Sequence, residues 1–121
     1  MNMNMAKKIS SKSTHPRYNH VSMISSGGKI LAVGYNRNGE HAERNALRRL
    51  FNARKNNDNV PKNLTLTSLM FKKRSEALGN SRPCSDCMRA IAPFVKSIMF
   101  IENDAWNEIS GINFDQLVNL K

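Results

Sequence analysis

Cys84 and Cys87, the chain's only cysteines, stand three residues apart, and His41 lies 43 positions before the first of them. On the first turn of a helix, sulfurs at that spacing face the same way. The unpaired N–H groups and positive dipole end of such a turn favour thiolates. Two thiolates and one imidazole make a Cys₂His set, which suits a tetrahedral metal with its fourth position open. If the three residues meet, two helix starts far apart in sequence must sit side by side. Two other readings of the cysteines exist. A thioredoxin-like redox pair would follow an early strand, and this one comes late. Half of a structural zinc site would need His15 or His20 to complete it. Two cysteines also exclude a disulfide framework and point to a reducing, intracellular compartment, cytoplasm or nucleus.

The apolar pattern supplies elements that deliver such helix starts. Val21–Ser25 and Lys29–Tyr35 are short β-prone runs around Ser26-Gly27-Gly28, a hairpin signal. The second run is apolar on both faces, which predicts an interior strand. Asn36-Arg37-Asn38-Gly39 reads as a polar loop. From His41 to Lys55, Ala42, Ala46, Leu47, Leu50 and Phe51 recur at helical spacing, with Arg44, Arg48 and Arg49 on much of the other face. Leu64–Lys72 predicts a strand. A second helix follows Cys84, with Pro93 inside or ending it. Ser97–Ile101 predicts a buried strand, Trp106–Ser110 a fifth, and Asn113 onward a short helix. Strands alternating with helices imply a sheet with helices packed on it. Residues 1–16, basic and without periodicity, read as a flexible N-terminal tail, and 17–121 as one domain. No run of 18 apolar residues marks a membrane helix.

Charge narrows the partners. The net charge is +10, from 19 Lys and Arg against 9 Asp and Glu. Residues 1–96 carry +13, from 18 Lys and Arg against 5 acids, and residues 97–121 carry −3; the basic clusters are Lys7/Lys8/Lys12, Arg44/Arg48/Arg49/Arg54/Lys55 and Lys72/Lys73/Arg74. Such a chain favours anionic partners: a phosphate-bearing small molecule or a nucleic acid. Arg37, Arg44, Arg48, Lys72 and Arg74 are the candidate phosphate or nucleic-acid contacts. Trp106, an aromatic in a polar stretch, is the candidate stacking platform.

Glu43 completes the pattern. A carboxylate beside a metal-activated water is placed to take its proton and pass it on. Alone, it could equally be a helix-start acid favoured by the dipole. Together the residues read His41-Ala42-Glu43, then Pro83-Cys84-Ser85-Asp86-Cys87. This H-x-E…P-C-x-x-C arrangement resembles the zinc nucleobase deaminases of the cytidine deaminase superfamily. The likeness spans roughly Pro16 to Ile101. Gly34-Tyr35-Asn36 is similar to the glycine-aromatic-asparagine stretch of deoxycytidylate deaminases.

The resemblance implies a three-layer α/β/α sandwich: a mixed sheet of four to five strands with helices on both faces, forming a single zinc deaminase domain. It implies one Zn²⁺ held by His41, Cys84 and Cys87, with Glu43 as general acid/base. Asn36, the backbone at Ala42, and Ser81, Arg82 and Pro83 become the candidate substrate contacts. The implied reaction is hydrolytic deamination of cytosine to uracil, releasing ammonia, on a phosphate-bearing (deoxy)cytidine nucleotide. A polynucleotide cytosine deaminase acting on single-stranded DNA or RNA is the alternative. Adenosine deamination and an idle, zinc-stabilised nucleic-acid-binding domain stand behind it. By analogy with small members of the superfamily, a homo-oligomer, dimer or tetramer, is a further expected partner.

Overall fold

The computed structural model describes residues 3–12, 18–54, 63–73 and 77–110. The first hairpin joins β1 (Tyr18–Ser26) to β2 (Lys29–Tyr35). Helix α2 (Ala42–Arg54), strand β3 (Thr65–Lys72), helix α3 (Ser85–Ile91), and strands β4 (Ser97–Glu102) and β5 (Ala105–Ser110) follow it, and helix α1 (Met3–Ser10) precedes it. The five strands form one sheet in the order β2-β1-β3-β4-β5. Only β3 and β4 run parallel, Thr65 opposite Ser97, and the crossover between them carries α3. The sheet is therefore mixed, as expected.

Period-2 alternation divides the strands between two layers. Ile24, Ala32, Leu66, Ile98 and Phe100 point to the side covered by α2 and α3, where Ala46, Leu47, Leu50, Met88 and Ile91 complete the main core. Val21, Met23, Leu69, Phe71 and Ile101 point to the opposite side and meet Ala6 of α1. Helices thus cover both faces. Beyond α1, that second face carries a groove of about 560 Å³ bordered by Met23, Thr67, Met99 and Trp106.

Two readings of the sequence are corrected. Part of the expected tail is helix α1, with Met5, Ala6 and Ile9 turned to the sheet and basic Lys7 and Lys8 in its last turn. Eight residues do not hold a helix in water, so burial against β1 and β3 is what forms it. Among the described residues, the expected interior strand β2 is an edge strand paired only with β1. It is apolar on both sides because α2 packs on Ala32 while Val33 joins the α1 layer. Of the two places expected for Pro93, inside the second helix or ending it, the structure has the latter: α3 ends at Ile91 with Ala92 as its C-cap, and Pro93 follows. Beside it, Phe94 meets Phe51 of α2 edge to face, with centroids 5.0 Å apart. The short helix expected from Asn113 lies outside the described residues. Among the described residues, no helix is long and apolar enough to cross a membrane.

Candidate active site

The same local device places both halves of the motif. His41 immediately precedes α2, and its carbonyl accepts the amide of Asn45. Cys84 is the N-cap of α3 in extended conformation, and its carbonyl accepts the amide of Met88. Each ligand therefore stands where the chain turns into a helix, with its side chain unused in capping at Cys84. The turn before His41 is equally specified. Asn38 and Gly39 both have positive φ, and Arg37 and Glu40 exchange backbone hydrogen bonds of 3.0 and 2.9 Å across them. This is the geometry of a tight two-residue turn, for which Asn-Gly is the favoured pair.

His41, Cys84 and Cys87 converge. Their ligand atoms lie within 4.8 Å of one another, and no other such group of His, Cys, Asp or Glu occurs among the described residues. His41 Nδ1 is 3.1 Å from Cys87 Sγ and 3.7 Å from Cys84 Sγ. A tetrahedral zinc with ordinary Zn–S and Zn–N bonds sets such edges at about 3.6 Å, so the set fits the ion. The three residues border a cavity of about 290 Å³ that Gly39, Glu40, Arg44 and Asp86 also line. Burial, and then Glu43 and Cys84 beside it, push the Cys87 thiol well above its usual range. A cation between these residues relieves that cost by holding the thiolate form.

Glu43 lies in the first turn of α2, its side chain 1 % exposed. Its Oε1 accepts from His20 Nε2 at 2.9 Å and from the Ser22 hydroxyl at 3.3 Å. Oε2 is buried and has no hydrogen-bond partner among the described residues. Burial pushes the carboxyl up, but His20, Cys87 and His41 outweigh it and hold Glu43 below the usual carboxylate range. His20 and Ser22 were not singled out with this role; both lie on the β1 face under α2. His20, weighed as a fourth ligand, instead bonds Glu43 and Ser68. His15 lies outside the described residues.

The expected substrate contacts divide. Ala42 is fully buried in the first turn of α2. Asn36 is half-buried, and its Oδ1 accepts the His20 amide at 3.0 Å. Ser81 is buried, and it ties strands together. Its hydroxyl donates to the Ser68 carbonyl and accepts the Ile101 amide, while its own carbonyl accepts the Ser68 hydroxyl. The Arg82 guanidinium lies over Phe100 and reaches Glu102 at 3.9 Å. Pro83 is buried beside Cys84.

The basic candidates divide too. Arg44 borders the metal cavity, and no described carboxylate pairs with it. Arg48 is committed to Glu40 through two hydrogen bonds, Nε to Oε2 at 3.1 Å and Nη2 to Oε1 at 3.0 Å. Asn45 adds a third donor to Glu40 at 2.7 Å. Arg37 lies at the neighbouring hollow with Arg49. Arg49 stacks over Tyr35, 5.0 Å from its ring centre. Lys72 is exposed at the end of β3, away from the cavity lining. Trp106 is exposed on the other face of the sheet and borders the groove there. Arg74 lies outside the described residues.

Comparison with known proteins agrees with this site. Residues 1–102 match the family described as the cytidine and deoxycytidylate deaminase zinc-binding region, and the chain belongs to that family. It is a member of a family of zinc enzymes that deaminate cytosine bases. Among solved structures, the apo dCMP deaminase of cyanophage S-TIM5 superposes with a TM-score of 0.56 at 24 % identity, over 79 % of this chain and 75 % of that one. That likeness concerns the fold. No curated protein matches the sequence.

Proposed function

We propose that this chain hydrolyses the exocyclic amine of cytosine in a phosphate-bearing nucleotide, giving the uracil nucleotide and ammonia. A C–O bond forms at C4, the C4–N bond breaks, and water supplies the oxygen, so no oxidant or reductant is needed. Zinc, when held by His41 Nδ1 and the sulfurs of Cys84 and Cys87, supplies Lewis acidity toward a water molecule. The chain's own residues do the rest. Glu43 Oε2, buried and without a partner among the described residues, carries the two protons of the water in turn, one to the ring nitrogen and one to the leaving amine.

Arg44 is the observation that carries the preference for a nucleotide. Its exposed guanidinium borders the metal cavity without an acidic partner among the described residues. Of the two acids in the same lining, Glu40 is paired with Arg48 and Asp86 lies 3.9 Å from Arg89, so the charge left over at the cavity is the Arg44 cation, which favours a substrate with a phosphate. A single-strand binder would instead place stacking aromatics beside the pocket. The cavity lining contains no Phe, Tyr or Trp, and Trp106 lies on the opposite face of the sheet.

The test uses the zinc-loaded full chain with dCMP, CMP, deoxycytidine, cytidine, and single-stranded DNA and RNA oligonucleotides, following uracil formation. Turnover of a monophosphate above its nucleoside supports the reading. An Arg44→Gln variant should then raise KM for the monophosphate and leave the nucleoside unaffected. Turnover of oligonucleotides alone overturns it in favour of a polynucleotide deaminase.

A further inference from the structure

We infer that His20 is the positioning residue for the general acid/base, fixing Glu43 through Oε1 so that Oε2 alone is free for proton transfer. The inference rests on the deaminase reading of Glu43, and nothing in the family motif includes His20.

The proton positions follow from the hydrogen-bond chain. The Ser68 hydroxyl donates its one proton to the Ser81 carbonyl at 2.7 Å. Ser68 Oγ can then only accept from His20 Nε2, which lies 2.7 Å away. Nε2 therefore carries the imidazole proton and shares it between Ser68 Oγ and Glu43 Oε1. Ser22 donates a second bond to the same oxygen. One carboxylate oxygen is thus doubly held and the other is bare. A buried acceptor left unpaired is costly in an ordinary core. Glu40 and Asp86 also stand beside the metal ligands, but Glu43 is the fully buried carboxylate there, and the bare atom belongs to it.

His20 is itself fixed from two directions. Asn36 Oδ1 accepts the His20 amide, and the Asn36 amide donates to the His20 carbonyl at 3.3 Å. Ser81, bound to both β3 and β4, sets the Ser68 hydroxyl. Two residues expected to touch substrate, Asn36 and Ser81, therefore act behind the general acid/base. The register places this network under α2: Ser22 pairs with Ser68, and His20 lies two residues earlier on the same face of β1. Misplacing a reacting group by an ångström costs up to about a hundredfold in rate, so a wedge of this kind shows in kcat.

Two measurements test the inference together. The first is ¹⁵N NMR of the His20 imidazole in the full chain. It should show the Nε2–H tautomer, with a resonance that moves in Glu43→Gln. The second compares His20→Leu and His20→Gln, each checked for bound zinc and for folding by circular dichroism. His20→Leu should lower kcat by roughly 10- to 100-fold with KM and zinc content unchanged. His20→Gln, which keeps a donor near the Nε2 position, should recover most of that loss. An Nδ1–H tautomer, unchanged kcat in His20→Leu, or equal loss in both variants overturns the inference. If the wild-type chain turns over no cytosine substrate, the functional reading fails. The tautomer and its response to Glu43→Gln then still decide whether His20 holds Glu43.

Discussion

Gly34 on β2 and Ala46 on α2 meet backbone to backbone: a methyl on Gly34 would lie 2.7 Å from the Ala46 Cα and 2.6 Å from the Ala42 carbonyl oxygen. No side chain can move aside there, because both obstacles are main chain. This contact sets the distance at which α2 crosses the sheet, and so where His41 and Glu43 stand relative to His20 and Ser22. Gly34→Ala should destabilise the chain by about 3 kcal/mol or more through overpacking. Urea unfolding measures it, and a parallel loss of zinc affinity is expected. An unchanged midpoint would show that α2 does not lie this close.

Ser81→Ala should act on stability and not on substrate affinity. It removes the acceptor of the Ile101 amide and the donor to the Ser68 carbonyl, both buried. The expected cost is about 1–3 kcal/mol. KM for a cytosine nucleotide should stay within about twofold, since 0.4 kcal/mol is already a factor of two. A large rise in KM with full stability would return Ser81 to the substrate pocket.

Much of this site is written in the sequence, and the reason is physical. His41, Glu43, Cys84 and Cys87 carry chemistry that few other residue types supply, at spacings tied to helix starts. The hairpin at Gly27-Gly28 and the strand Lys29–Tyr35 are likewise local signals. What escaped is set by distant contacts. His20 on a polar strand start gives no hint that it meets Glu43 across two elements. Ser81 in a polar connection looks free until β4 lies beside it. Helix α1 is too short to read from periodicity and exists through its packing on β1 and β3. Two-sided apolarity in β2 reflects two covering layers, not two neighbouring strands.

Glu40 gives a pH-dependent contribution whose sign is fixed. Hydrogen bonds from Arg48, then Asn45, hold its carboxyl below the usual range despite partial burial. A depressed folded pKa means the stabilisation is fully present above the unfolded value of about 4.3 and fades as pH falls through the folded one. Arg48 is half exposed, so solvent screening keeps the contribution of the pair small. Urea unfolding of wild type and Glu40→Gln should differ at pH 7 and converge near pH 3. A gap that widens on acidification would contradict this account.

Zinc binding should strengthen with pH. Cys87 is pushed up by burial and by Glu43, so the metal-free thiol holds its proton at neutral pH and must release it on binding. Affinity should rise roughly tenfold per pH unit for each proton displaced. A competition titration with a chromogenic chelator between pH 6.5 and 8 measures this. Cys84→Ser and Cys87→Ser should each lose the ion, and chelation should lower the unfolding temperature of the wild type. Affinity independent of pH would mean that the Cys87 thiol is not held protonated in the absence of metal.

Deamination by the zinc-loaded chain, with and without the Glu43 carboxylate, is the measurement that bears most directly on the site. Wild type should convert dCMP to dUMP with release of ammonia. Glu43→Ala should keep one zinc per chain and lose about 10²- to 10⁴-fold in kcat. Wild-type rates in Glu43→Ala, or no cytosine turnover by the zinc-loaded wild type, would contradict the assignment.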